Sequence, residues 1–260
     1  MLPTQLVGEV INGLKSYVTS GFETNTPYFS GMFTRFVNAP GKLYKGPWLS
    51  MSLPFRQGYH SRDFFKSFKT QFPPYLHQEL AWKRIASDQK GRSTIIATGT
   101  GSGKTECFLY PMLDHCARQR QKGIKAIVIY PMNALATDQA KRFAREIFNA
   151  PDLKGKLRVG LFVGGREEKT IKSMTIDSVI TDKDSLRADP PDILLTNYKM
   201  LDFLLIRPVD RQLWRHNGPE TLRYLVVDEL HTFDGAQGTD LACLIRRLKG
   251  RLLTTEFYSS

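Results

Sequence analysis

Cysteine is scarce in this 260-residue chain: Cys107, Cys116 and Cys243 stand alone, with no Cys-x-x-Cys pair. That excludes a disulfide scaffold, a zinc cluster and thiol exchange, and it fits a reducing compartment, the cytoplasm. No run approaches the ~18 apolar residues that span a bilayer, and the opening MLPTQLVGEV lacks the basic segment and apolar stretch of a signal peptide. A membrane partner is therefore not expected. No repeat period recurs, which excludes a solenoid. Acidic residues are in short supply too, 25 against 37 Lys and Arg, leaving a formal charge of +12. This surplus favours a polyanionic partner, with nucleic acid first. Hydrophobic residues make up 41%, enough for a packed core, and the length suits one large domain or a medium domain with an attachment.

Residues 1 to 72 read as an accessory segment, separate from a main domain over 73 to 260. Fourteen of the 29 aromatics lie before residue 75, among them Phe29, Phe33, Phe36, Trp48, Phe64, Phe65 and Phe68, set among Gly and Pro. Such residues either pack against a neighbouring domain or stack single-stranded bases. Beyond Pro73, short continuous apolar runs alternate with helical stretches: residues 93–97 (STIIA), 126–130 (AIVIY), 159–163 (VGLFV), 193–196 (ILLT) and 224–227 (YLVV). Runs without alternation predict strands buried on both faces of a parallel sheet. Ala136, Ala140, Phe143, Ala144, Ile147 and Phe148 form one helical face, and Leu241, Leu244, Ile245, Leu248 and Leu252 another. The fold class is therefore α/β, a mostly parallel sheet flanked by helices. Residues 166–190 are long for a connection, and predict a short helix or a functional loop.

The first specific chemistry follows STIIA. Thr98, Gly99, Thr100, Gly101, Ser102, Gly103, Lys104 and Thr105 lie between a predicted strand and a predicted helix. Closely spaced glycines let backbone N–H groups turn inward on phosphate oxygens, and the helix start adds positive charge. Lys104 would reach the β- and γ-phosphates and the Thr105 hydroxyl would ligate Mg²⁺. The usual pattern opens with Gly where this chain has Thr98. Pro111 predicts a kink near Glu106 or Cys107. The strand YLVV then runs into Asp228 and Glu229, at the carboxyl edge where open α/β sheets bind ligands. Asp228 would hold the metal, and Glu229 would position and deprotonate a water.

TGTGSGKT and Asp228-Glu229-Leu230-His231 together resemble motifs I and II of superfamily 2 helicases in the DExH style. Residues 130–136 (YPMNALA) resemble motif Ia, Val163-Gly164-Gly165 the glycine turn that follows it, and residues 195–198 (LTNY) motif Ib. Tyr75, His77 and Gln78 are similar to the Q motif. The wording is most similar to the YprA and Lhr-like DEAD/DEAH helicases, some of which belong to phage-defence systems. The resemblance implies a RecA-like fold, ATP and Mg²⁺ as cofactors, and ATP selection by Tyr75 and Gln78. It further implies catalysis by Lys104, Asp228, Glu229 and His231. One nucleic-acid strand, DNA by preference, would pass Pro131, Asn133, Ala134, Gly164, Gly165, Thr196 and Asn197. Asn133 stands where a Lys or Arg is common.

Motif III and the arginine motifs of a second motor domain do not occur in the 260 residues. The resemblance implies that a second RecA-like domain completes the site, from a longer polypeptide or a partner chain. It also implies that a strand between the phosphate-loop strand and the acidic one is lacking. The chain alone is then expected to hydrolyse ATP barely. An alternative is a phosphate-loop switch that changes protein partners without moving on nucleic acid.

Overall fold

The computed structural model describes residues 3–22, 26–43, 54–86, 92–99, 101–165 and 170–252. Two compact units form, Met1–Pro54 and Phe55–Ser260. The first holds helix α1 (Pro3–Gly21), a 3₁₀ turn (Pro27–Phe29) and α2 (Met32–Asn38). Phe22 and Phe33 pack with ring centroids 6.0 Å apart. Trp48 lies outside the described residues.

The second unit runs α3 (Leu76–Ile85), α4 (Lys104–Arg118), β1 (Ala126–Tyr130), α5 (Asn133–Asn149), β2 (Val159–Phe162), α6 (Lys183–Ala188), β3 (Ile193–Asn197), α7 (Tyr198–Ile206), β4 (Tyr224–Val227) and α8 (Gly235–Leu252). All strand pairs are parallel, in the order β2-β3-β1-β4. Successive side chains of a strand point to opposite faces. On β1, Ala126, Val128 and Tyr130 accordingly join a core with α4 and α5, whereas Ile127 and Ile129 join one with α7 and α8. The apolar faces of α5 and α8 are buried at Ala136, Ala140, Phe143, Ala144, Ile147 and at Leu241, Leu244, Leu248, Leu252. The long 166–190 connection does contain a short helix, α6, capped by Asp182, whose side chain accepts the Ser185 N–H. α4 runs unbroken through Pro111.

One predicted strand does not form. Residues 93–97 carry no ladder, and Ile95 is 82% exposed. A strand exists only through hydrogen bonds to a neighbour. Among the described residues β4 is the outer strand on its side, and β1 is its one partner. An apolar run is necessary for a buried strand, and without a neighbour it is not sufficient.

The sequence draws its boundary at residue 72, but the compact unit begins at Phe55. Aromatic packing accounts for this. Phe65 stacks on Phe68 at 5.4 Å and meets Trp82 of α3 at 4.9 Å, and Phe68 meets Tyr110 of α4 edge-on at 5.8 Å. These rings are core, not a base-stacking platform. Glu79 ties the same segment to α3. Its side chain is fully buried and accepts the N–H groups of Tyr59 (2.6 Å) and His60 (2.9 Å), with the His60 ring at 2.9 Å and Lys83 Nζ at 2.6 Å. Gly58 admits this approach, since a Cβ there would lie 2.6 Å from Glu79 Oε2.

Burial by itself would push the Glu79 carboxyl up, but the hydrogen bonds from Lys83, His60 and Tyr59 outweigh it and hold the group down at about 2. A carboxyl depressed in the folded state contributes stability above its unfolded value of 4.5 and loses it as pH falls toward 2. Glu79→Ala is expected to destabilise this unit by about 1–3 kcal/mol near neutral pH, because buried donors lose their acceptor. Urea unfolding checks this. The gap between variant and parent should narrow between about pH 4.5 and 2.

Candidate nucleotide site and nucleic-acid groove

The phosphate loop is held from within and from behind. Within it, the hydroxyls of Thr98 and Ser102 pair at 2.6 Å. Gly101 and Gly103 adopt φ of 74° and 76°, the left-handed region that costs other residues about 1–2 kcal/mol. Gly103 is also close-packed, since a Cβ there would lie 2.4 Å from Gln78 Nε2. Behind the loop stands α3: His77 Nε2 meets the Ser102 carbonyl at 2.9 Å, Gln78 Nε2 donates to the Gly103 carbonyl at 3.1 Å, and Trp82 Nε1 donates to the Glu106 carbonyl at 3.0 Å. Gln78 Oε1 accepts the Tyr75 N–H at 2.9 Å. Both ends of the Gln78 amide are thus engaged, joining the start of α3 to the loop. Tyr75 stacks on His77 with centroids 5.8 Å apart. Gly99 is exposed, and Thr100 lies outside the described residues. Lys104 and Thr105 open α4.

The acidic pair follows β4. The Asp228 N–H donates to the Ile129 carbonyl at 3.0 Å, which prolongs the β4–β1 ladder up to the carboxylate. Glu229 then turns the chain with φ 49° and ψ 44°, the one positive φ outside glycine among the described residues. Its N–H donates to Asp228 Oδ1 at 2.9 Å, and its carbonyl accepts the Thr232 N–H and hydroxyl, each at 2.8 Å. His231 Nδ1 lies 3.3 Å from Glu229 Oε2, with its side chain largely exposed. Burial raises the Asp228 carboxyl, the Glu229 charge adds to that, and the Glu229 N–H, Lys104 and Arg142 oppose it. A carboxylate kept above its ordinary range by burial, and then by a like charge, gains from a nearby cation.

Two buried oxygens nearby, Tyr130 Oη and Glu106 Oε2, have no hydrogen-bond partner among the described residues. Burial, and then the Asp228 charge, push the Tyr130 phenol up. These groups fit ATP and Mg²⁺: inward-turning glycines for phosphates, Lys104 for their charge, and hard oxygen donors at Thr105 and Asp228 for the metal. When bound, the nucleotide and metal would supply the phosphoryl-transfer chemistry, and Glu229 would be the carboxylate beside them available to take a proton from water.

The other expected residues gather on the same edge of the sheet. Asn133, at the start of α5 after β1, donates through Nδ2 to the Gly164 carbonyl at 3.0 Å and accepts from Asn197 Nδ2 at 2.5 Å. Asn197, at the end of β3, caps α7 by accepting the Met200 N–H at 2.7 Å. Pro131, Gly164 and Asn197 line a groove of 360 Å³ together with Tyr198, Lys199 and Phe203. Ala134 is exposed in the first turn of α5, and Gly165 makes the turn after β2 with φ 108°. Thr196 does not reach the groove. It is fully buried, and its hydroxyl donates to the Phe162 carbonyl at 2.6 Å, tying β2 to β3. His77 entered the sequence reading within the Q-motif resemblance, whereas Trp82, Glu106 and Arg142 were missed as parts of this region, because no motif joins them along the chain.

The DEAD/DEAH box helicase family matches residues 75–258, and the chain belongs to that family. It is similar to the ATP-dependent helicase YprA of Bacillus subtilis, 33% identical over 67% of this chain and 20% of that protein. Druantia protein DruE of Escherichia coli is 27% identical over 69% of this chain and 15% of its own length. Among solved structures, the DUF1998 helicase MrfA bound to DNA is matched over 80% of this chain and 27% of that one, with a TM-score of 0.57 and 26% identity. Helicase Lhr of Mycobacterium smegmatis, bound to ssDNA and AMP-PNP, is matched over 68% and 21%, with a TM-score of 0.51 and 26% identity. The chain therefore spans a quarter or less of the length of most of these relatives. Among the described residues no helix is long and apolar enough to cross a membrane.

Proposed function

We propose that the chain is the first RecA-like motor domain, residues 73–260, of an ATP-dependent DNA helicase or translocase in the cytoplasm, with residues 1–72 as an accessory segment whose residues 55–72 pack into the same compact unit as the motor domain. A second RecA-like domain, from the same polypeptide or a partner, completes the site. Lys104 and the loop from Thr98 to Thr105 hold the triphosphate of ATP, with Tyr75 and Gln78 on the base side. Thr105 and Asp228 hold Mg²⁺, Glu229 takes the proton of the attacking water, and His231 answers to the γ-phosphate side. One observation carries the reading: in a parallel sheet, the carboxyl ends of all strands share an edge. Asp228 after β4, Asn133 after β1, Gly164 after β2 and Asn197 at the end of β3 accordingly form one continuous surface. A nucleotide switch needs only the first of these. The groove therefore favours the motor over a switch acting on protein partners. Similarity to DruE, and to the phage-defence helicases that the motifs resemble, makes antiviral defence the proposed setting.

The test is ATP hydrolysis by the complete native polypeptide or complex, with and without single-stranded DNA. Stimulation by DNA is expected, with an affinity that falls steeply between about 50 and 200 mM salt as phosphate contacts release counterions. Intact basal hydrolysis that neither DNA nor RNA raises would favour the switch.

A further inference from the structure

α5 touches both sites. Its first residue, Asn133, closes the groove through Gly164 and Asn197. Nine residues on, about 13 Å along the helix axis, the Arg142 guanidinium pairs through Nη2 with Glu106 Oε1. Glu106 lies in the first turn of α4, two residues after Lys104. One turn further along both helices, Tyr110 Oη donates to Glu146 at 3.3 Å. The start of α5 is thus fastened to the groove and its middle to the phosphate-loop helix.

The Arg142–Glu106 contact is only half made. One Glu106 oxygen takes the guanidinium while the other, Oε2, is buried with no partner. A buried, unpartnered carboxylate oxygen is costly, and the fork of an arginine can satisfy both oxygens at once. A small shift of α5 that squared the guanidinium onto the carboxylate would satisfy both oxygens. Coupling between sites needs an element with two arrangements that both sites bias.

We propose that Arg142 is a positioning residue that transmits occupation of the groove to the phosphate loop, through α5 and Glu106. This rests on the motor reading above. A strand that draws on Asn133 and Gly164 moves α5, Arg142 engages both Glu106 oxygens, and the first turn of α4 with Lys104 is held for hydrolysis.

The experiment compares Arg142→Gln, Glu106→Gln, Arg142→Lys and the charge-exchanged pair Arg142→Glu with Glu106→Arg, in the complete native polypeptide or complex. The readouts are hydrolysis with and without saturating single-stranded oligonucleotide, the KM for ATP, and the Kd for the oligonucleotide. Each single neutral variant is expected to cut the DNA-stimulated ratio by at least about fivefold, the lower end of ordinary coupling between sites, with the oligonucleotide Kd little changed. Arg142→Lys, which keeps the charge and loses the fork, should fall between, and the exchanged pair should regain much of the ratio. Arg145→Gln on the exposed side of α5, where Arg145 pairs with Asp177 at 2.8 Å, is the control and should leave the ratio intact.

A parental ratio in Arg142→Gln or Arg142→Lys would overturn the proposal, as would a ratio that falls only in step with lost oligonucleotide binding. Should Arg142→Gln fail to fold, Arg142→Lys and the exchanged pair decide by the same criteria. If neither DNA nor RNA stimulates the unaltered protein, the motor reading fails and the proposal with it. A stimulated parent with equally stimulated variants removes the proposal alone.

Discussion

Exchange of Glu229 for Gln is expected to lower ATP turnover of the complete protein by about 10²–10⁴-fold, the usual contribution of a positioned general base. ATP binding should be retained. Gln keeps the size and the hydrogen-bonding reach of Glu but cannot accept a proton. The proposed phosphate and metal contacts come from Lys104 and Thr105 of the loop, so binding of a fluorescent ATP analogue should change little while steady-state hydrolysis collapses. The backbone provides a second arm. At φ 49° Glu229 occupies a region that costs a residue with a Cβ about 1–2 kcal/mol, and glycine enters it without that cost. Glu229→Gly should therefore match or exceed the parent in thermal unfolding while losing turnover as fully as Glu229→Gln. A Glu229→Gly variant that is both inactive and clearly less stable would show that the turn is shaped by other contacts.

Residues 1–260 assayed alone are expected to hydrolyse ATP about 10³–10⁵-fold more slowly than the complete polypeptide or complex, the cost of lacking a transition-state arginine. Phosphoryl transfer demands little covalent chemistry from the protein. Catalysis is positioning and charge placed where it develops, and one missing donor cannot be replaced by the rest. Lys104 and Arg142 are cations of this chain whose charges bear on Asp228, and the transition-state arginine is the one proposed to come from the second domain. The unpaired residues 93–97 add to the deficit, because the loop then hangs from a segment with no ladder to brace it. Steady-state turnover above ~1 per second from the isolated chain would refute this expectation.

Much of the fold was legible because its signals are local. Continuous apolar runs marked β1 to β4, and the 3.6-residue period marked the buried faces of α5 and α8. Residues 93–97 carry the same signal and did not become a strand, since pairing is a property of two segments and the pattern describes one. Residues 55–72 join the second compact unit for a related reason. Phe64, Phe65 and Phe68 read as an aromatic stretch with two possible uses, and only the positions of Trp82 and Tyr110 make them core.

At the candidate site, sequence by itself determined which chemical groups are available: the glycines and Lys104 of the loop, Asp228 and Glu229 at a strand end, and Asn133 and Asn197 beside theirs. Short-range order was enough, because strand, loop and helix N-terminus are contiguous in the chain. Tertiary structure alone decided that Thr196 is buried, that His77, Gln78 and Trp82 brace the loop from behind, and that Arg142 meets Glu106 across 36 positions of sequence. Those arrangements depend on how α3 and α5 pack beside α4 and the sheet, and packing is set by the summed burial of many side chains, not by any one motif.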